Sequence, residues 1–430
     1  MTDAGDSKKA ERKRAKENIF PHNVQKYQSI AVFPIVLTTF GRNKTGIMEY
    51  DFDEVIQRRG TDSVKWDRLP EALPLWVADM DFKAAPSIID AIRRKTEQGV
   101  FGYSLVPESY FDAVRWWLSH RHGLEIEREW IVPIGGLVPA ATASIMAAAS
   151  PGDEVIVQTP AYNCFFNNVR NAGCKLSENK LIYKDRRWQI DFPDFERRAR
   201  TAKVFLLCNP HNPVGRLWTE EELERMGDIC LKYGVEVISD EIHIDIVPPG
   251  SECTPFARVR PEFLQNCIFF NSPTKCFNIA GLHISNMICA DPQMRKALVE
   301  ASARINHTDI NQMGLAALQG AFCPEGEEWL EQANAYIHRN YLLLKERFER
   351  ELPELDVSPL EATYLVWVDC RKLTVPSAEA QKILIEKEKV WINAGDIYGL
   401  PGFFRINIAC PRQILEEGLD RIIRGFGALL

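Results

Sequence analysis

Short apolar runs alternate with helical segments between about residues 95 and 320 of this chain. The runs predicted to be strands are Glu154–Gln158, Val204–Cys208, Val235–Ser239, Ile268–Phe270 and Ile284–Cys289. A doubly wound sheet needs this alternation, because each parallel strand must be followed by a crossover helix. The chain is therefore predicted to have an α/β fold with a mostly parallel sheet.

One of the intervening helices has clear end signals in the sequence. Thr219 and Glu222 have the spacing of a capping box, and Gly234 follows the last apolar position of the segment. Leu223, Met226 and Cys230 recur at helical spacing, which predicts one buried face.

The character of the sequence changes near residue 325. A long charged helix is predicted from Trp329 to Glu351, followed by an alternating strand, Tyr364 to Val368, and a C-terminal helix. We therefore expect residues 96–324 to form a large domain and residues 325–430 a smaller α+β domain, to which residues 48–95 contribute. Residues 1–47 are predicted to be a poorly ordered extension, with Met48 a candidate initiator.

Composition excludes several classes of protein. The formal net charge of −7 argues against nucleic acid as the main partner. The apolar patch from Ile30 to Phe40 is too short to span a bilayer. Eleven cysteines without a CxxC pair, and eight histidines without an HExxH motif, predict no metal site. Buried thiols of a reducing compartment fit better, so we expect a cytoplasmic protein.

A lysine follows the apolar run Ile268–Phe270, at the end of Asn271-Ser272-Pro273-Thr274-Lys275. A residue just past such a strand lies at the carboxyl edge of a parallel sheet, where α/β folds bind ligands. Burial there would lower the pKa of the lysine toward a reactive amine, which can bond to an aldehyde cofactor. Taken alone, the lysine is more commonly a solvated surface charge.

Three other segments are expected at the same edge. Asp240 ends a strand and would need a cationic partner if buried, although it could be a helix cap or surface acid. Asn212 lies in a turn with two Asn-Pro steps, which could hold its amide toward a ligand or be a simple turn. Gly135-Gly136-Leu137-Val138 leads into an alanine-rich helix whose free amides could bind phosphate.

Together, and in this order, these segments resemble the fold-type I pyridoxal-phosphate enzymes of the class I/II aminotransferase group. The matching elements are Asn212-Pro213-Val214-Gly215, Asp240-x-x-His243, Ser272-x-x-Lys275 and Phe404-Arg405-Ile406-Asn407. Within that group the chain is most similar to the MalY/PatB-type cystathionine β-lyases. This likeness includes Leu75-Trp76-Val77-Ala78-Asp79-Met80-Asp81-Phe82, Phe101-Gly102-Tyr103-Ser104, Asp240-Glu241-Ile242-His243 and Phe277-Asn278-Ile279-Ala280-Gly281-Leu282. It extends from about residue 50 to the C-terminus.

The resemblance implies an aspartate aminotransferase-like fold and pyridoxal 5'-phosphate as cofactor. It implies that Lys275 bonds to the cofactor and moves the substrate α-proton, and that Asp240 pairs with the ring nitrogen. The other implied cofactor contacts are Asn212 and His243 to the ring oxygen, Tyr162 on the ring face, and Ser272, Thr274, Leu137 and Val138 to the phosphate. Tyr103 would reach the phosphate in the neighbouring subunit of a homodimer with shared active sites.

For the substrate, the resemblance implies that Arg405 binds the α-carboxylate and that Trp76 lines the entrance. Two positions depart from the family pattern. Leu282-His283-Ile284-Ser285 stands where aminotransferases of this group carry a phosphate-binding arginine, which makes His283 a candidate. Cys276 follows the lysine where a hydroxyl residue is usual, and we expect it only to pack.

The implied reaction is β-elimination from L-cystathionine and related cysteine S-conjugates, which yields pyruvate, ammonia and a thiol. An aminotransferase using the same residues is one alternative. A regulatory protein with incidental lyase activity is another.

Overall fold

The computed structural model describes residues 48–430. The predicted extension, residues 1–47, lies outside the described residues. The strands in chain order are β1 Leu73–Pro74, β2 Ile131–Ile134, β3 Glu154–Thr159, β4 Lys175–Lys180, β5 Ile182–Lys184, β6 Arg187–Gln189, β7 Val204–Cys208, β8 Glu236–Asp240, β9 Cys267–Asn271, β10 Ser285–Cys289, β11 Asp356–Val357, β12 Leu365–Asp369, β13 Val390–Trp391, β14 Asn393–Ala394 and β15 Phe403–Asn407.

The helices are, in the same order, α1 Val64–Asp67, α2 Pro86–Glu97, α3 Glu108–His122, α4 Leu137–Ala148, α5 Asn163–Asn171, α6 Phe192–Ala199, α7 Glu220–Tyr233, α8 Phe256–Val259, α9 Pro261–Gln265, α10 Pro292–Arg304, α11 Gln312–Ala321, α12 Pro324–Glu351, α13 Ser377–Ile383 and α14 Arg412–Gly427. Short 3-10 turns span Arg128–Trp130, Ala280–Leu282 and Gly395–Tyr398, and a π turn spans Leu384–Glu388.

The largest sheet of the described chain has seven strands in the order β2-β10-β9-β8-β7-β3-β4. Strand β10 runs antiparallel to both of its neighbours, and the other pairs are parallel. Cys208 of β7 lies opposite Asp240 of β8, and Asp240 lies opposite Phe270 of β9. These three strands therefore end at one edge of the sheet, as the strand pattern predicted.

Apolar layers cover both faces of this sheet. One face packs against α4, α5 and α10 around alanine, valine and isoleucine side chains. The other face belongs to a larger core that continues through α7, α12 and α14. Because both faces are buried, the central strands read as continuous apolar runs.

Local sequence signals determine where helix α7 begins and ends. The Thr219 hydroxyl accepts from the Glu222 amide, and the Glu222 carboxylate accepts from the Thr219 amide, so the predicted capping box is confirmed. Gly234 ends the helix at φ 65°, a left-handed conformation that favours glycine. A cap of this kind stabilises a helix by about 1 kcal/mol.

A second, four-stranded antiparallel sheet has the order β11-β12-β15-β14. Its strand β12 was predicted to alternate, yet Tyr364 to Val368 are all buried. The strand is central in its sheet and is covered on both faces, so the alternation of its sequence does not mark a solvent-facing side. The predicted domain boundaries stay a prediction.

All eleven cysteines lie in the described chain and none forms a disulfide, as their spacing predicted. Burial raises the pKa of most of these thiols, including Cys208, Cys276 and Cys410. Within residues 48–430 there is no cluster of metal-ligating side chains and no helix long and apolar enough to cross a membrane.

Candidate active site

A cavity of about 350 Å³ opens at the carboxyl edge of β7, β8 and β9. Asp240 is the last residue of β8, Asn212 follows β7, and Lys275 follows β9. The structure brings together in this cavity the predicted residues Leu137, Val138, Tyr162, Asn212, Asp240, His243, Thr274 and Lys275. Residues more than one hundred positions apart thus share one site, because parallel strands end at the same sheet edge.

Lys275 is the cationic side chain that lines this cavity. Its Nζ donates a hydrogen bond to the carbonyl oxygen of Ala78, at 2.7 Å. Burial lowers the pKa of Lys275, partly opposed by the carboxylate of Asp79 and reinforced by the guanidinium of Arg405. The amine is therefore easier to deprotonate than a surface lysine, as the sequence predicted.

Asp240 is a buried carboxyl group without a salt bridge to a described residue. The Ile242 amide donates to its Oδ1 at 3.1 Å. Burial raises the pKa of Asp240 to about 7, and the Ile242 hydrogen bond and the Lys275 charge only partly counter it. A cation against this carboxyl would favour its ionised form, so the group fits a protonated ring nitrogen.

His243 lies three residues beyond Asp240, in the turn after β8, and is also buried. Burial, with the nearby charges of Lys275 and Arg405, lowers its pKa to about 3, so the imidazole is neutral. Its Nδ1 is buried and has no hydrogen-bond partner among the described residues. A neutral ring with an unused polar atom fits a contact to a ligand oxygen.

The glycine turn before α4 forms the other end of the cavity. Gly136 has φ 116°, which an L side chain rarely adopts, and α4 begins at Leu137. A Cβ at Gly136 would lie 3.7 Å from the His283 Nδ1. Free amides at a helix start fit a phosphate group, and His283 and His307 line the same cavity.

Ser272 and Thr274 differ in their positions at this end. Thr274 lines the cavity, whereas Ser272 is buried behind it. The Ser272 hydroxyl donates to the Ile284 carbonyl at 2.7 Å and lies 2.8 Å from the Thr274 hydroxyl. Ser272 therefore supports the Thr274 loop in this structure, while its predicted contact with the phosphate stays a prediction.

Arg405 is buried beside the cavity and pairs with no carboxylate in residues 48–430. Its Nη1 donates to Asn212 Oδ1 at 3.1 Å, and its Nη2 donates to the Trp76 carbonyl at 3.0 Å. Its Nε is buried and has no hydrogen-bond partner among the described residues, and its guanidinium lies 4.7 Å from the centre of the Tyr398 ring. A buried cation without an anion fits an anionic ligand.

Trp76 and Tyr103 lie outside the residues that line the cavity. The Trp76 indole stacks on Trp391 at 4.1 Å, and its main chain reaches Arg405. Tyr103 is fully exposed and lines a separate cavity of about 750 Å³ with Phe101 and Gln312. The structure of one chain therefore does not bring Tyr103 together with Lys275.

Sequence reasoning missed the strap that crosses the site, which we define as residues 76–81. Its Ala78 carbonyl binds Lys275, and its Asp79 is the carboxylate that most opposes the lowered lysine pKa. The run was recognised only as part of a family likeness. Its contacts with Lys275 and Arg405 join positions 197 and 329 residues apart, so no local pattern could have shown them.

The class I and II aminotransferase family matches residues 71–422. The chain belongs to this family. The cystathionine β-lyase PatB of Bacillus subtilis is 38% identical to it, over 86% of this chain and 98% of PatB. Protein MalY of Escherichia coli is 32% identical, over 88% of this chain and 100% of MalY.

Solved structures agree with these relatives. Cystalysin from Treponema denticola, whose structure contains pyridoxal 5'-phosphate, has a TM-score of 0.86 and 34% identity, covering 89% of this chain and 100% of cystalysin. The predicted membership of the MalY/PatB-type group is confirmed, as is the aspartate aminotransferase-like fold class. The roles of single site residues stay predictions.

In the cofactor-free protein, ionisation of Asp240 should lower the free energy of unfolding. The folded-state pKa of Asp240, about 7, exceeds the ordinary 3.8, so its stabilising contribution is complete at low pH and is lost as the pH rises through about 7. Asp240→Asn cannot ionise and should raise the free energy of unfolding by about 1–4 kcal/mol at about pH 8, and by less at about pH 5.

Urea unfolding of the two proteins at both pH values measures this difference. Asp112→Asn, at an exposed position in α3, is the matched control and should show no pH-dependent difference. An equal effect of Asp240→Asn at both pH values would contradict the interpretation of Asp240 as an unpaired buried acid.

Proposed function

We propose that this chain is a pyridoxal-phosphate-dependent carbon–sulfur β-lyase that cleaves L-cystathionine and related cysteine S-conjugates. The observation that carries the proposal is a single site in which Lys275, with a lowered pKa, lies beside Asp240 and Arg405, neither of which forms an ion pair with a described residue. The enzyme class and the cofactor agree with the relatives and solved structures described above.

The residues that line the cavity, with Ser272 buried behind it, would suit pyridoxal phosphate. Asp240 would hold the ring nitrogen, Asn212 and His243 the ring oxygen, and Tyr162 the ring face. The amides of Leu137 and Val138, with Thr274 and Ser272, would hold the phosphate. When bound, the cofactor withdraws electrons from the substrate α-carbon, which makes its proton acidic and the bond from β-carbon to sulfur breakable.

Lys275 would remove the α-proton. Its lowered pKa makes the amine easier to deprotonate, and the Ala78 carbonyl orients the amine through the 2.7 Å hydrogen bond. The electron pair left by the proton forms a double bond between the α- and β-carbons as the sulfur leaves with its bonding electrons. The unsaturated amine that is released hydrolyses to pyruvate and ammonia.

Arg405 would bind the substrate α-carboxylate. Asn212 and the Trp76 carbonyl hold two of its N–H groups, which fixes the plane of the guanidinium. A planar fork binds a carboxylate through two parallel hydrogen bonds, which a lysine does not reproduce. The Trp76 ring, stacked on Trp391, would form one wall of the entrance.

We further propose a cytoplasmic homodimer with shared active sites. The segment from Val100 to Leu105 exposes four large apolar side chains, those of Val100, Phe101, Tyr103 and Leu105. Exposed apolar groups this close together are typical of a protein interface. A second copy seated there would let Tyr103 of one chain reach the phosphate held by the other. The free cysteines agree with a reducing compartment.

A product assay tests the reaction. The wild-type enzyme should release pyruvate from L-cystathionine, and Lys275→Ala should lose this activity together with the visible absorption of the bound cofactor. Lys296→Ala, an exposed lysine of α10, is the control and should keep both. Amino transfer to an added 2-oxo acid, without pyruvate release, would instead identify an aminotransferase.

The binding role of Arg405 gives a second test. Arg405→Lys keeps the positive charge but loses the fork, so kcat/KM for L-cystathionine should fall about tenfold to a hundredfold. Arg412→Lys, seven residues along the chain, is the control with unchanged kinetics. Equal kcat/KM in the two variants would exclude Arg405 as the carboxylate ligand.

Shared active sites can be tested by subunit complementation. Lys275→Ala and Tyr103→Ala should each be inactive alone, while mixed dimers contain one site with both residues intact. Co-expression in equal amounts should restore about a quarter of wild-type activity, since half the dimers are mixed and half of their sites are intact. If Tyr103 acted within its own chain, mixing would restore nothing.

A further inference from the structure

The strap, residues 76–81, touches both ends of the proposed substrate site through its main chain. The Trp76 carbonyl accepts from Arg405 at 3.0 Å, and the Ala78 carbonyl accepts from Lys275 at 2.7 Å. The group that would bind the carboxylate and the group that would move the proton are thus held by carbonyls two residues apart. A displacement of the strap would disturb both groups together.

Ion pairs with Lys65 and Arg58 hold the strap in place. Lys65, in α1, has a fully buried ammonium that lies 2.8 Å from Asp81 Oδ2 and 3.2 Å from Asp79 Oδ1. It also donates to the Asp79 carbonyl at 3.1 Å. Arg58 adds ion pairs to both carboxylates, at 3.0 Å to Asp79 and 2.6 Å to Asp81.

The Trp66 indole completes this cluster by donating to Asp81 Oδ1 at 2.8 Å. A buried ammonium is unfavourable by several kcal/mol unless its partners are well placed. Lys65 therefore fixes the positions of Asp79 and Asp81. Fixing these two residues also fixes the main-chain carbonyls from Trp76 to Asp79.

We propose that Lys65 is a positioning residue for catalysis: through Asp79 and Asp81 it holds the strap where its carbonyls orient Lys275 and Arg405. This inference rests on the proposed lyase function, in which Lys275 moves the proton and Arg405 binds the carboxylate. Lys65 itself does not line the cavity.

Lys65 pairs with Asp79, the carboxylate that most opposes the lowered pKa of Lys275. The charged and titratable groups that act on Lys275 are Asp79 from the strap, Asp240 from β8, Arg405 from β15 and Cys164 from α5. The neutral His243 also lies in this cavity. Since Lys65 and Arg58 compensate the charge of Asp79, removing Lys65 leaves that carboxylate freer to stabilise a protonated amine.

Three variants of the cofactor-loaded enzyme separate position from charge. Lys65→Met removes the buried ammonium. Asn407→Ala removes a neutral support of the same strap, since Asn407 Nδ2 donates to the carbonyls of Val77 and Asp79. Lys83→Met is the matched control, because Lys83 pairs with Glu54 at 2.6 Å on the surface, where both side chains are about half exposed.

The readouts are kcat, KM, the pH midpoint of the visible cofactor absorption, and Tm. Lys65→Met should lower kcat and raise KM for L-cystathionine, with kcat/KM down about tenfold to a hundredfold, and should move the pH midpoint upward. Asn407→Ala should change kcat and KM in the same directions without moving the midpoint. Lys83→Met should match the wild type in all readouts.

A folded Lys65→Met enzyme with a lower Tm but unchanged kcat, KM and midpoint would overturn the inference, because Lys65 would then be only structural. If that variant does not fold, Asn407→Ala decides, and unchanged kinetics there would also overturn it. Failure of the wild type to release pyruvate would contradict the proposed function instead. The midpoint difference between Lys65→Met and Lys83→Met would remain measurable in that case.

Discussion

The parallel pairing of β7, β8 and β9 is the constraint on which the site depends. Parallel strands must all end at the same edge of the sheet. Asn212, Asp240 and Lys275 therefore meet there, although they are not neighbours in the sequence. Helix α4, with the glycine turn before it, connects β2 to β3 of the same sheet. The parallel hydrogen-bonding pattern of these strands therefore determines which side chains share the site.

Burial then gives each of these groups its chemical character. The same loss of solvation lowers the pKa of Lys275 and His243 and raises the pKa of Asp240. The lysine becomes easier to deprotonate, and the aspartate becomes harder to ionise unless a cation lies against it. One physical cause thus prepares a base, a neutral imidazole and an acid within a single cavity.

Much of the fold could be predicted from the sequence, because strand and helix signals are local. Val204–Cys208 matches its strand in full, and the other four predicted strands differ from the structure by one or two residues at their ends. The convergence of Asn212, Asp240 and Lys275 was also predictable, since each ends or follows a predicted strand, whereas Tyr162 and His243 were predicted only from the family resemblance. The strap was not, because its position depends on Lys65, Asp79 and Asp81, whose pairing depends on tertiary packing. The burial of both faces of β12 was hidden for the same reason.

Burial protects cysteines of this enzyme from reaction with the product that it releases. A thiol attacks a disulfide only as its thiolate, and burial keeps thiols such as Cys208, Cys253 and Cys276 protonated. A carbon–sulfur β-lyase releases a thiol, which is a nucleophile, close to its own cysteine side chains at every turnover. Here Cys276, next to Lys275, lacks both the ionisation and the solvent access needed for exchange with oxidised product. Burial of these cysteines thereby limits the formation of mixed disulfides between the enzyme and its product during catalysis.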